Sequence, residues 1–258
     1  MHLALTLLLL VACRPPEAWR PALIPPESVV MGWRLVPGTS LTYALTSRYD
    51  TDSTERVRTE QWSYLVRDVD AEGKAELEAT LVGFGAELRE AGVSPDAGTL
   101  ETAIDRERER LSDTTTTFTL SMDGRLEILE GSWADRVPHR LLGLILPERE
   151  LRPGENWSDP TVSRAYADLL PVGMELELSG THRLDGLYDR DGRIQARIRT
   201  QGAVRPVDST NPGTLWLKGD TWWDLQGGYL EERTLEVSLL GARADEPGPL
   251  KLEARRIR

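Results

Sequence analysis

Apolar residues recur at every second position over most of this chain, and that period commits it to extended strands rather than helices. Leu41, Tyr43, Leu45 and Tyr49 alternate with Thr42, Ala44 and Thr46, and a spacing of two puts each set on its own side of a pleated strand. Residues 57–69 repeat the pattern with Trp62, Tyr64 and Val66 on one face. Residues 74–84 answer it, with Ala75, Leu77, Ala79 and Leu81 facing one way and Lys74, Glu76, Glu78 and Thr80 the other. Asp70-Ala71-Glu72-Gly73 reads as the hairpin turn between them, with Gly73 placed to take a positive φ.

Gly83, Gly85, Gly92 and Pro95 then break the alternation. Leu100, Ile104 and Leu111 fall at helical spacing, which predicts a helix over 99–111 whose run of alternating Asp, Glu and Arg from Asp105 to Arg110 is its solvated face. Phe118, Leu120 and Met122 alternate up to Asp123-Gly124, and Leu126, Ile128 and Glu130 run back; an Asp-Gly pair between alternating apolar residues is a strong hairpin signal. A second helix is expected at 137–146, with Pro138 in its first turn and Leu141, Leu142, Leu144 and Ile145 apolar enough to need covering. Asp159-Pro160 looks like one more helix start.

The second half returns to a period of two. Met174, Leu176, Leu178, His182 and Leu184 share a face, as do Ile194, Ala196, Ile198 and Val204 beyond the turn at Asp189-Arg190-Asp191-Gly192. Leu215, Leu217, Trp223 and Leu225 oppose Trp216, Lys218, Asp220, Trp222 and Asp224. Gly227-Gly228 turns the chain into Leu235, Val237 and Leu239, and 250–257 is the last strand. Three landmarks echo between the halves 33–131 and 150–258. Leu35-Val36-Pro37-Gly38 recurs as Leu151-Arg152-Pro153-Gly154, the turn at Gly73 as that at Gly192, and the hairpin at Gly124 as that at Gly228. They read either as a duplicated β unit or as the recurrence of common turn residues.

The expected fold is therefore mainly β with two minor helices: a large curved antiparallel sheet or half-barrel, with one wet face and one apolar face that the helices cover. Residues 29–258 form a single domain. Residues 13–28 hold Pro15, Pro16, Pro21, Pro25 and Pro26 and read as an extended spacer. Ahead of them, Leu3 to Ala12 is apolar except for Thr6. That run is too short for a bilayer-spanning helix, which needs about 20 residues, and fits the core of an export signal over 1–12.

Leu10-Val11-Ala12-Cys13 resembles the lipobox of bacterial lipoproteins. The resemblance implies diacylglyceryl attachment at Cys13, cleavage before it and membrane anchoring; Arg14 in the following position implies the outer membrane if the host is Gram-negative. Two or more acyl chains hold a protein on a membrane, whereas one binds marginally. Cys13 is the sole cysteine, so an exported chain must manage without an internal disulfide.

A net charge of −11 argues against a nucleic-acid partner, because phosphate neutralisation supplies most of that affinity. Gly-x-Ser-x-Gly, Gly-x-x-x-x-Gly-Lys and His-Glu-x-x-His are missing from the sequence, so no catalytic set and no cofactor is expected. His182 and His139 have no second ligand at metal spacing, and His182 reads first as a hydrogen-bonded core histidine. Asp220 and Asp224 sit beside Trp216 and Trp222, but i and i+4 on one strand lie ~13 Å apart, beyond the roughly 5–9.5 Å of glycoside hydrolysis. A solvated rim is expected there. Asp189 to Gly192 lacks the later Glu of a calcium loop.

Leu146-Pro147 followed by Pro153-Gly154-Glu155-Asn156-Trp157 resembles a group of bacterial lipoproteins without an assigned function, and the whole pattern resembles periplasmic half-barrel lipoproteins and lipoprotein carriers. That resemblance implies an acyl chain held in the curved sheet, lined here by Leu176, Leu178, His182, Ile194, Ile198 and Trp223. The expectation is a membrane-anchored, non-enzymatic envelope protein that binds a lipid, another apolar molecule or an envelope protein. The alternatives are an assembly lipoprotein with no ligand and, last, a hydrolase working through acidic residues.

Overall fold

The computed structural model describes residues 20–21, 26–50, 54–90, 97–112, 116–128, 139–164, 175–190, 192–207, 214–240 and 249–257. Cys13, the expected leader over 1–12 and most of the expected spacer over 13–28 lie outside them. Twelve strands form one antiparallel sheet: β1 (Arg20–Pro21), β2 (Ser40–Asp50), β3 (Thr54–Val69), β4 (Ala75–Glu90), β5 (Thr116–Leu120), β6 (Leu126–Ile128), β7 (Asn156–Ser158), β8 (Leu176–Arg190), β9 (Arg193–Pro206), β10 (Thr214–Asp224), β11 (Tyr229–Leu240) and β12 (Leu250–Ile257). Their order is β8-β9-β10-β11-β12-β2-β3-β4-β5-β6, with β1 and β7 both paired to the outer edge of β8. Every neighbour in the row is a sequence neighbour except β12 and β2, whose pairing joins the two meanders. β6 and β8 do not pair, so the sheet is not a closed barrel.

The sheet curves, and two hydrogen bonds measure how much. Trp33 donates its backbone N–H to Met122 O and the next residue, Arg34, donates to Gly228 O, both at 2.9 Å. Two neighbouring backbone nitrogens therefore bring the β5–β6 and β10–β11 turns within ~10 Å of each other. Five strand spacings separate those turns along the sheet, a distance of ~24 Å if it were flat.

The apolar face forms the core. Tyr43, Trp62, Tyr64, Val66, Leu77, Phe118, Leu184, Ile198, Leu217 and Trp223 are all buried on it, as the period of two requires. Tyr64 sits edge-on between Tyr43 and Phe118, with centroids 5.9 and 5.7 Å apart. Helix α1 (Ala97–Ser112) packs near β4 and sends Leu111 into this core, while Arg58 reaches Glu107 at 3.2 Å. A short helix α2 (Thr161–Arg164) starts where Asp159-Pro160 signals it. Asp159 Oδ1 accepts the Thr161 N–H at 2.9 Å, which satisfies an otherwise orphaned donor of the first turn. The helix lies on the cross-strand pair Gly180 and Gly202. A Cβ on Gly180 would come within 1.9 Å of Asp159 O, and one on Gly202 within 2.5 Å of Ser163 Oγ.

Two expected boundaries are corrected. The helix expected at 137–146 is a single 3-10 turn, His139–Leu142, followed by chain without regular structure to Leu146; residues 137–138 lie outside the described residues. The buried Arg233 guanidinium donates to the carbonyls of Leu141, at 3.0 Å, and Gly143; a helix ending at Leu146 would pair the first with the Ile145 N–H, whereas Pro147 has no N–H to offer the second. Gly83 and Gly85 do not end their strand either: β4 continues to Glu90. A β-bulge at Gln61/Trp62 absorbs the irregularity. The missing side chain of Gly83 leaves room for Gln61, whose Oε1 would lie 3.0 Å from a Cβ there.

The echoed landmarks occupy matching places. Gly38 N–H donates to Val66 O at 2.8 Å and Val66 N–H to Thr39 O at 2.9 Å. Gly154 N–H donates to Leu184 O at 2.6 Å and Leu184 N–H to Glu155 O at 3.0 Å. A bulge follows each, at Val66/Asp68 and at Leu184/Gly186, and then the hairpin glycine. The described glycines with positive φ are Gly38, Gly73 and Gly124 in one half and Gly154, Gly192 and Gly228 in the other. The two meanders, β2–β6 and β7–β11, thus share a pairing order and the placement of these glycines, although their strands differ in length, and β12 pairs with both β11 and β2.

Candidate functional site

The six side chains expected to line a ligand all belong to the apolar side of the sheet, but the chain itself occupies it. Ile198, His182 and Trp223 are buried; Leu176, Leu178 and Ile194 are half-buried against the same core. Trp33 stands edge-on against Trp223 at 4.9 Å. Val29, Met31, Leu141, Leu142, Leu144, Leu146 and Leu151 fill the remaining space. Among the described residues the cover is therefore two segments without regular structure, around residues 29–35 and 143–151, together with the 3-10 turn His139–Leu142 and α1. An acyl chain lying on these six residues would have to displace them.

His182 lies at the centre of a closed polar relay. Its Nε2 is 3.0 Å from Asp159 Oδ2 and its Nδ1 is 2.9 Å from Thr200 Oγ1. Burial, aided by the Arg233 charge, pushes the His182 pKa down. Burial alone would raise Asp159, but hydrogen bonds from His182 and Thr161 hold its carboxyl below the usual carboxylate range. The pair is therefore a carboxylate and a neutral imidazole, with Nε2–H donating to Asp159 and Nδ1 accepting from Thr200. Acid, imidazole and hydroxyl follow the order of a hydrolytic triad. Thr200 is only 1% exposed, however, and the relay ties β7 and β8 to β9.

This relay gives a pH prediction. A histidine whose folded pKa lies below its unfolded value of 6.5 contributes stability that is present above pH 6.5 and lost as pH falls from there through the folded pKa. Asp159, also depressed, adds a second loss below its ordinary value of 3.8. Melting temperature is expected to fall in both windows. His182→Gln should lower the melting point at neutral pH and abolish the upper loss; an unchanged profile in that variant would reassign it to other groups.

The carboxylates beside the tryptophans are committed elsewhere. Asp220 accepts from Arg197 at 2.8 Å. Asp224, expected on a solvated rim, is instead fully buried and accepts from Arg193 and from the backbone of Gln226 and Gly227. It closes the β10–β11 turn. Arg197 and Arg205 lie over the rings of Trp222 and Trp216. Asp189 Oδ1 caps Gly192 N–H at 2.9 Å, as turn chemistry requires. No group of three His, Cys, Asp or Glu converges to hold a metal among the described residues.

Two openings of about 600 Å³ stand out among the described residues, beside a smaller one of about 360 Å³ lined by Asn156, Thr181, His182, Arg183, Arg199 and Gln201. On the polar side, a groove of about 610 Å³ crosses β9, β10, β11, β12 and β2 between Arg48, Arg197, Arg199, Lys218 and Lys251 and the acids Asp220, Glu236 and Glu253. Its charges are largely tied across strands, as in Lys218–Glu236 at 2.9 Å and Arg197–Asp220 at 2.8 Å. The second is a cleft of about 590 Å³ at the turn-bearing end of the sheet, lined by Val30, Met31, Trp33, Met122, Leu146 and Pro147 with Arg34, Glu72, Lys74, Asp123, Arg125, Glu127 and Glu148 around it. That volume is in the range of small-molecule sites. Val30 and Met122 are 57% and 56% exposed, so apolar surface is on offer there. None of the six expected lining residues borders either of these two, but His182 borders the smaller opening. Sequence reasoning missed the cleft; the signal was Val29-Val30-Met31-Gly32-Trp33, an apolar run just past the prolines with no alternation.

No protein-family model matches the chain, and no curated protein matches it. Among solved structures, lipovitellin, studied for its lipid–protein interactions, aligns over 86% of this chain with 13% identity and a TM-score of 0.47. The chain spans 25% of that chain's length. Among the described residues, no helix is long and apolar enough to cross a membrane.

Proposed function

We propose that this chain is an exported lipoprotein, acylated at Cys13, whose β domain binds an apolar molecule in the cleft formed by Val30, Trp33, Met122, Leu146 and Pro147. The work is binding rather than catalysis. The observation that carries the reading is the pairing of exposed Val30 and Met122 over a cleft floored by core residues. Exposed apolar surface costs free energy in water, and contiguous patches of it mark binding sites. The Cys13 motif supplies the address, and lipid is the apolar material a membrane offers.

Native mass spectrometry of the protein released from membranes in mild detergent is expected to show one retained apolar molecule per chain, besides acyl mass on Cys13. Met122→Glu, which sets a charge in the cleft mouth, should lower that occupancy about tenfold or more. A lipid extract without a stoichiometric molecule would remove the ligand. Cys13→Ser is expected to leave the membrane fraction with an unchanged melting point, and its retention there would remove the anchor.

One observation favours the assembly reading instead: among the described residues, the chain's own segments pack on the apolar side of the sheet, where an acyl chain would otherwise lie. In that case Val30 and Met122 meet a protein, and crosslinking in cells from position 122 traps one dominant partner.

A further inference from the structure

We infer that the turn-bearing rim of the sheet is the surface this protein lays against the lipid bilayer. The inference rests on acylation of Cys13, as proposed above, and on where the anchored segment enters the fold. Arg20 pairs with Asp189, at the β8–β9 turn. Seven residues of chain lead from Cys13 to Arg20, and fully extended they reach at most ~25 Å. The bilayer must lie within that distance of this turn. Val207 follows the far end of β9, whose 14 residues carry it ~45 Å away. The opposite rim is out of reach.

The antiparallel meanders bring four turns to this one rim: 70–74, 121–125, 189–193 and 224–229. Curvature gathers them, since Trp33 and Arg34 bond the Met122 and Gly228 carbonyls. The exposed apolar residues gather there too. Val30, Val36 and Met122 each stand more than half exposed, and Ile257 is 39% exposed at the end of β12. Val82, Val207 and Trp216 lie singly elsewhere.

The polar side of the sheet, which would face the bilayer if the domain lay flat, presents cross-strand ion pairs that lose hydration against lipid. Rim acids such as Asp70, Glu72, Glu148 and Asp189 are exposed, so the surface suits zwitterionic headgroups better than anionic ones. Its apolar side chains are few, which gives shallow contact at the interface that the acyl anchor keeps in place. The cleft opens on the same rim, so an apolar molecule would pass between bilayer and protein without crossing water.

Hydrogen exchange tests this on the full chain in two forms: purified from membranes with its native modification and reconstituted in phosphatidylcholine vesicles, and coupled through the Cys13 thiol to a maleimide lipid in the same vesicles. Backbone exchange at 36–39 and 121–125 is expected to slow at least about threefold on vesicles, with 205–207 unchanged. Met122→Asp should restore free-solution exchange at 121–125 while melting normally. Equal exchange on and off vesicles at both turns, in protein whose mass shows acyl groups on Cys13, overturns the rim. Missing acyl mass on the native protein overturns the anchor instead, whatever the coupled form shows.

Discussion

Gly124→Ala is expected to leave no cooperatively folded protein at 37 °C. Gly124 holds a φ of +86° and its backbone meets that of Leu144: a Cβ built on it would lie 1.8 Å from Leu144 O and 2.7 Å from Leu144 C. Neither contact is a side-chain tip that could swing away. Either the β5–β6 turn or the 141–146 segment must move, and that segment seats Leu141, Leu142, Leu144 and Leu146, all at most 3% exposed. Each buried leucine contributes about 1.5–3 kcal/mol. Displacing several approaches the whole stability of a domain, about 5–15 kcal/mol. Gly38→Ala is the control. Its φ is +80°, but nothing lies within 4 Å of the added methyl, so the expected loss is the left-handed strain alone, about 1–2 kcal/mol. Circular dichroism melts of the two variants decide the matter. A Gly124→Ala protein melting within a few degrees of Gly38→Ala would mean the cover segment does not bear on that turn.

That contrast shows what a sequence can and cannot disclose about this fold. The strands are readable because a pleated strand with one buried face imposes a period of two, and the runs 41–45, 62–66 and 75–81 obey it. The turns were readable because a positive φ asks for glycine, and the echoed glycines all adopt one. The cover was not readable as such. Leu141, Leu142 and Leu144 suit a buried helix and a buried extended segment equally. What the segment meets there is Arg233, some ninety residues on, which takes the carbonyls of Leu141 and Gly143, and no local pattern announces that contact.

The candidate site follows the same logic. Alternation assigned Ile198, His182 and Trp223 to the apolar side correctly, yet a period says nothing about what lies on top. Trp33 lies there, from a stretch with no periodic signal. The wet side carried a similar error: Asp224 alternates as an exposed residue would, but the turn amides of Gln226 and Gly227 and the Arg193 guanidinium bury it.

Leu184→Asp is expected to unfold the domain outright, whereas Leu178→Asp, six residues earlier on the same strand and the same side, should only weaken it. Leu184 has no exposed surface and pairs with fully buried Ile198. A carboxylate there loses about 2–5 kcal/mol of leucine packing and adds the cost of an unpaired buried charge, several kcal/mol more. Leu178 is half-buried near the outer end of β8, and a carboxylate there can turn toward water, for a loss of roughly 1–3 kcal/mol. Urea unfolding should give a lowered midpoint for Leu178→Asp and no native baseline for Leu184→Asp. Equal midpoints would mean the 151–155 turn, whose Gly154 and Glu155 hold the Leu184 backbone, does not seal that part of the core. The matching residue of the other meander is Val66, also with no exposed surface and held in the same way by Gly38 and Thr39. Val66→Asp should therefore fail as completely as Leu184→Asp. If it does not, the two meanders share a backbone plan without sharing the load it carries.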